Sequence, residues 1–143
     1  EKLMFVRWID LGAPIDTGNP DVGWFLDDLK PTIALSQPRA RANPAPLATI
    51  RFGLADNNSG VDLASLSVTA DFAVNGRVAG AELGDLALAD GDGIWSIALS
   101  PSLQTGWNRH VNVSVRDQQG NITRVARAFF IGADDTIFRD GYD

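Results

Sequence analysis

Apolar residues alternate with polar or small ones through most of this chain. Ala48, Ile50, Phe52 and Leu54 are separated by Thr49, Arg51 and Gly53, the period of a half-buried strand. The run ends in a turn cluster, Asp56-Asn57-Asn58-Ser59-Gly60. Leu66, Val68, Ala70, Phe72 and Val74 then alternate with Ser67, Thr69, Asp71 and Ala73 up to Asn75-Gly76. Val111, Val113 and Val115 repeat the pattern, and Asp117-Gln118-Gln119-Gly120-Asn121 turns it into a last strand over 122–131. Shorter runs at Ile33 and Leu35 and at Trp95, Ile97 and Leu99, and a weaker one over 83–89, complete about seven strands. Short strands at regular spacing, separated by turn residues, predict an all-β, immunoglobulin-like antiparallel β-sandwich. Its expected core is Ile50, Phe52, Val68, Phe72, Trp95, Ile97, Val113 and Phe130. The last strand is ambiguous, since Ala126, Ala128 and Phe130 lie on one face and Val125, Phe129 and Ile131 on the other.

The flanks follow other rules. Met4, Phe5, Trp8 and Ile9 recur at helical spacing, and Gly12 and Pro14 mark a stop. Apolar residues cover much of this short helix, so it needs burial on several sides. Residues 1–30 are therefore expected to be an N-terminal helix and extended segment, the tail of an upstream domain docked on the sandwich. Residues 31–132 are the sandwich, and 133–143 a C-terminal tail.

Composition narrows the chemistry. The 143 residues include no Cys and one His, His110. Thiol nucleophiles, disulfides, Cys-ligated zinc, iron–sulfur clusters and covalent haem attachment are excluded within this sequence. The net charge of −6 argues against nucleic acid, which needs a concentrated basic face. No apolar run approaches the roughly 20 residues of a membrane span.

Asp outnumbers Glu sixteen to two, and many Asp sit in turns. An immunoglobulin-type strand order gathers three turns at one end of the sandwich. They would bring together Asp56, Asn58 and Asp62, then Asp92, then Asp117 and Asn121. Calcium takes six to eight oxygen ligands from such groups. The competing reading is turn chemistry: Asp and Asn bond to their own backbone and tolerate left-handed conformations.

Catalysis finds little support. His110 opens a strand with Asn112 and Ser114 on the same outward face, the pattern of a surface histidine. The adjacent pairs Asp27-Asp28 and Asp134-Asp135 read as solvated or capping acids. Trp24, Trp95 and Trp107 could stack on a sugar, although Trp95 alternates with core residues and Trp107 sits where it would plug the sandwich end.

Three stretches carry a resemblance when taken together in order. They are Phe52-Gly53-Leu54-Ala55-Asp56 leading to Ser59-Gly60-Val61-Asp62, then Leu103-Gln104-Thr105-Gly106-Trp107-Asn108, then Val113-Ser114-Val115-Arg116-Asp117-Gln118-Gln119-Gly120-Asn121. From Pro31 to Gly132 the chain resembles bacterial immunoglobulin-like domains of cell-surface and secreted proteins. The resemblance implies an extracellular or periplasmic spacer, adhesion or binding module without catalysis. Open strand edges separately allow self-association, with the N-terminal segment covering an edge in its own chain or in a neighbour's; a protein partner and an upstream domain of the same parent are the other expected contacts. The alternative that the resemblance leaves is a calcium-stabilised ligand- or carbohydrate-binding accessory domain of an exported enzyme or c-type cytochrome. Arg7-Trp8-Ile9-Asp10-Leu11-Gly12-Ala13-Pro14-Ile15-Asp16 resembles a segment of large exported proteins similar to the hydrazine synthase alpha subunit. No haem motif accompanies it. Thr136-Ile137-Phe138-Arg139-Asp140-Gly141-Tyr142-Asp143 resembles a short C-terminal signature of exported gammaproteobacterial proteins, which implies that Asp143 ends the parent.

Overall fold

The computed structural model describes Leu3, Met4, Val6, Arg7 and residues 27–132. The first four have helical backbone, too few to give a helix its bounds. The expected N-terminal helix and linker, with Trp8, Trp24 and Phe25, otherwise lie outside the described residues, as does the expected tail 133–143.

Among the described residues, eight strands form two four-stranded sheets. They are β1 (Thr32–Gln37), β2 (Arg41–Asn43), β3 (Leu47–Ala55), β4 (Val61–Ala70), β5 (Leu88–Ala89), β6 (Ile94–Leu103), β7 (Gly106–Asp117) and β8 (Ile122–Ile131). One sheet runs β1-β3-β6-β5 and the other β2-β8-β7-β4. The first, second, fifth and fourth positions of an immunoglobulin sandwich thus share one sheet, and the third, sixth and seventh the other. The eighth strand is the three-residue β2, which crosses over and pairs in parallel with the end of β8. All other strand pairs are antiparallel.

The alternation read from the sequence sets the faces. Ile50, Phe52 and Leu54 of β3 point inward, as do Val111, Val113 and Val115 of β7. Phe72 and Phe129 meet edge to face inside, with centroids 6.1 Å apart. Six of the expected core residues are buried: Ile50, Phe52, Val68, Phe72, Ile97 and Val113. Trp95 is half-buried and packs against that core.

Phe130 is a correction. It lies on the outer face of β8, and Phe129 and Ile131 fill the core instead. The cause is register. β8 pairs with β7 without a shift from Ile122 opposite Arg116 to Phe129 opposite Arg109, which puts Phe129 on the inward face of Val111, Val113 and Val115; the pairing shifts only beyond it, between Gly106 and Arg109 of β7. Asn108 there takes a left-handed φ of 51°. Trp107 is turned outward and stacks on Phe130 at 5.1 Å with rings 9° from parallel. Trp107 is 68% exposed, so it does not plug the sandwich end.

The weak strand expected over 83–89 shrinks to Leu88–Ala89, preceded by a 3-10 turn at Gly84–Leu86. The turn at 90–93 lies against the end of β3, where Leu54 N–H donates to Gly93 O at 2.7 Å. Gly93 has φ 65°. A Cβ on it would meet Leu54 O at 2.8 Å, so this close approach requires glycine.

Candidate functional site

The loop after β3 and the turn between β7 and β8 meet at one pole of the sandwich. Gln118 N–H donates to Gly60 O across them at 2.9 Å. Each is first tied to itself. Asp56 Oδ1 accepts from the N–H groups of Asn58 (3.1 Å) and Gly60 (2.8 Å). Asp117 Oδ1 accepts from the N–H groups of Gln119 (2.9 Å) and Asn121 (2.8 Å), and its Oδ2 accepts from Asn121 Nδ2 at 2.6 Å. These are side-chain-closed turns of the kind that favour Asp and Asn.

Asp27 is inserted between them. Its Oδ1 accepts from Leu29 N–H (3.0 Å) and Asn58 Nδ2 (3.2 Å). Its Oδ2 accepts from the N–H (3.1 Å) and hydroxyl (2.8 Å) of Ser59. The backbone joins in: Asp27 N–H donates to Gln119 Oε1 at 2.9 Å, and Asp27 O accepts from Asn121 Nδ2 at 2.8 Å. One residue thereby binds the segment leading into β1 to both loops. Asp27, Ser59 and Asp117 are buried, at 6%, 2% and 2% exposure. Burial alone would push the Asp27 carboxyl up. The bonds from the Ser59 hydroxyl, Leu29 N–H, Asn58 and Ser59 N–H outweigh it and hold the carboxyl below its ordinary 3.8.

Carboxylate oxygens of Asp27, Asp56 and Asp117 lie within 4.8 Å of one another. The ion pairs found among the described residues are Arg51–Asp90, Arg77–Asp85 and His110–Asp71, so none involves these three acids.

Four of the six residues singled out from the sequence therefore meet here: Asp56, Asn58, Asp117 and Asn121. Two do not join them. The Asp62 carboxylate accepts from Ala64 N–H at 3.1 Å within β4. Asp92 is exposed on the 90–93 turn and is not part of the three-carboxylate group. The sequence presents the central residue, Asp27, as one of a pair of solvated or capping acids. It does bond Leu29 N–H two residues on, but its other partners are distant in sequence.

His110 lies on the outer face of the second sheet. Its backbone N–H donates to Asp71 Oδ1 at 2.9 Å, and its Nδ1 lies 3.2 Å from Asp71 Oδ2. The neighbouring row pairs Asn112 with Thr69. Trp95 and Trp107 belong to different sheets.

No family model matches the chain, and no curated protein matches its sequence. Among solved structures, the crystal structure of CopC from Methylosinus trichosporium OB3b is similar at 17% identity and a TM-score of 0.48. The match covers 75% of this chain and 100% of that one.

Proposed function

We propose that this chain is a non-catalytic, extracytoplasmic immunoglobulin-like module that holds the polypeptide preceding it in a fixed direction and presents its own surface to protein partners. The observation carrying this reading is the Asp27 clamp. A free-swinging linker would reach β1 without bonds to the sandwich. Here the lead-in is bound through carboxylate, N–H and carbonyl to loops on both sides. The ordered succession of the 52–62, 103–108 and 113–121 motifs supports membership of the bacterial immunoglobulin-like class. The same resemblance supports a location outside the cytoplasm.

The test is backbone dynamics by NMR. Residues 27–31 should have order parameters near 0.85, like the strands, and Asp27→Ala should lower them toward 0.6 or less. Order parameters below about 0.6 for 27–31 in the unaltered chain would overturn the reading.

A second reading concerns the same pole. Three carboxylates within 4.8 Å of one another, without a described cation paired to them, form an oxygen cluster suited to calcium. Such a site would use Asp27, Asp56 and Asp117, with Asn58 and Asn121 beside them. At a hundredfold excess over its Kd, calcium would then raise the thermal midpoint by roughly 10 °C relative to chelator. An unchanged midpoint removes calcium and leaves the clamp, whose carboxylates already take hydrogen bonds from protein groups.

A further inference from the structure

Charge is segregated in this acidic chain. No Asp or Glu occurs between Asp28 and Asp56, or between Asp117 and Asp134. Those two stretches supply β1, β2, β3 and β8. Along the side where β1, β2 and β8 come together lie Lys30, Arg39, Arg41, Arg124 and Arg127. None of the five forms an ion pair among the described residues.

The same side carries an open strand. β8 pairs with β7 along its length, but β2 covers its other edge only opposite Phe129–Ile131. Among the described residues no strand pairs with that edge over 122–128. Every second residue there directs its N–H and C=O outward, a template for another strand. Seven residues at about 3.4 Å each give roughly 24 Å of edge. Arg124 is exposed on the outer face and Arg127 is half-buried on the opposite one, so cations flank the edge on both sides. Arg39 and Arg41 stand where β2 begins, at the far end of the open stretch.

We infer that this edge receives an extended acidic polypeptide segment, which adds as a strand beside residues 122–128 with its carboxylates against Arg124, Arg127 and Arg41. The main chain would supply the hydrogen bonds and the side chains the selection. The arginines also work against the obvious competitor. Two copies meeting edge to edge would bring like charges together, a repulsion that disfavours self-pairing while leaving an acidic strand welcome. The inference rests on the reading of the chain as an interaction module.

A labelled eight-residue peptide alternating Asp and Val is the probe, titrated into the intact 143-residue chain by fluorescence anisotropy. Saturable binding is expected, with slowed hydrogen exchange at alternate amides of 122–128. The Arg124→Glu/Arg127→Glu chain should bind at least about tenfold more weakly, and a Lys–Val peptide should not bind the unaltered chain. Absence of binding overturns the inference. So does binding without amide protection, or equal binding by the double variant. If dextran sulfate displaces the peptide and no amide is protected, the surface takes polyanions and strand addition is wrong. Because exchange is read on the unaltered chain, misfolding of the variant cannot rescue or hide the result. Order at residues 27–31, measured separately, distinguishes loss of this inference from loss of the module reading.

Discussion

At Asp27, burial and hydrogen bonding pull the carboxyl in opposite directions, and hydrogen bonding prevails. That outcome fixes a sign. A folded-state value below the unfolded one means that the unfolded chain binds more protons at acid pH, so stability falls on acidification. Asp27→Asn keeps the shape but turns an amide toward groups that themselves donate. It should cost about 1–3 kcal/mol at pH 7, because the amide keeps one acceptor oxygen and leaves either Leu29 N–H and Asn58 or the two Ser59 donors facing its NH2 group. The difference in unfolding free energy between the two proteins should be constant above about pH 5. It should shrink below pH 4, as the native carboxyl is protonated and the advantage of the charge disappears. Urea unfolding of both proteins from pH 7 to pH 2.5 measures this. A gap that widens with acid, or persists undiminished, contradicts the assignment of charge to the clamp. Asp27 was hard to read in the sequence because of distance. Apart from Leu29, the groups it bonds lie 31 to 94 residues downstream. By contrast, Asp56 and Asp117 bond groups two and four residues on, and such local turn chemistry is visible in composition.

Elements were legible wherever one face is buried and the other wet. β3 alternates from Ile50 to Leu54 and β7 from Val111 to Asp117, and there the buried residues are those that the period selects. Ala48, which the period puts inward, is exposed and Leu47 buried, because the pairing with β6 shifts between Leu47 and Thr49. The period fails where both faces carry apolar groups. β8 places Phe129 in the core and Phe130 beneath Trp107, a choice made by the unbroken register from Ile122 opposite Arg116 to Phe129 opposite Arg109, which carries the inward face of Val111, Val113 and Val115 across to β8. β2 escaped notice because three residues between prolines show no period at all. The weak 83–89 run is another case of tertiary bonding overriding pattern. The Glu82 carboxylate accepts from the N–H groups of Val68, Leu83 and Gly84, and from the Ser67 hydroxyl. This turns the chain onto the edge of β4, where Leu83 N–H donates to Val68 O at 2.8 Å. Burial would raise the Glu82 carboxyl, but these four donors hold it below its ordinary value. The acid acts as an edge partner, and the segment lies across β4 instead of extending as a full strand.

At the scale of the whole molecule, the described residues present four lateral edges, each managed by a different device. β1 is short, bounded by Pro31 and Pro38, and irregular between Leu35 and Gln37. The edge of β4 is covered by the segment around Glu82. That of β8 is flanked by arginines. β6 is covered by β5 only at Trp95 and Ser96, and beyond them a single side chain stands in for a strand. The Asn75 amide donates to Ala98 O at 2.9 Å and accepts from Ser100 N–H at 2.7 Å, reproducing both bonds of a strand partner. Its position is fixed by the tight turn Val74–Arg77, closed by two backbone bonds, with left-handed φ at Asn75 and Gly76. Asn75→Ala removes the cap and leaves the turn's bridge in place. The variant should lose about 1–2 kcal/mol of stability, from two bonds and a left-handed alanine. It should also expose an uncharged β6 edge, because Ala98, Leu99 and Ser100 carry no charge to repel a second copy. Sedimentation velocity across a hundredfold range of concentration should show a single species for the unaltered chain and concentration-dependent association for the variant. Equal association of the two proteins would mean that the molecule's separateness depends on something other than its closed edges.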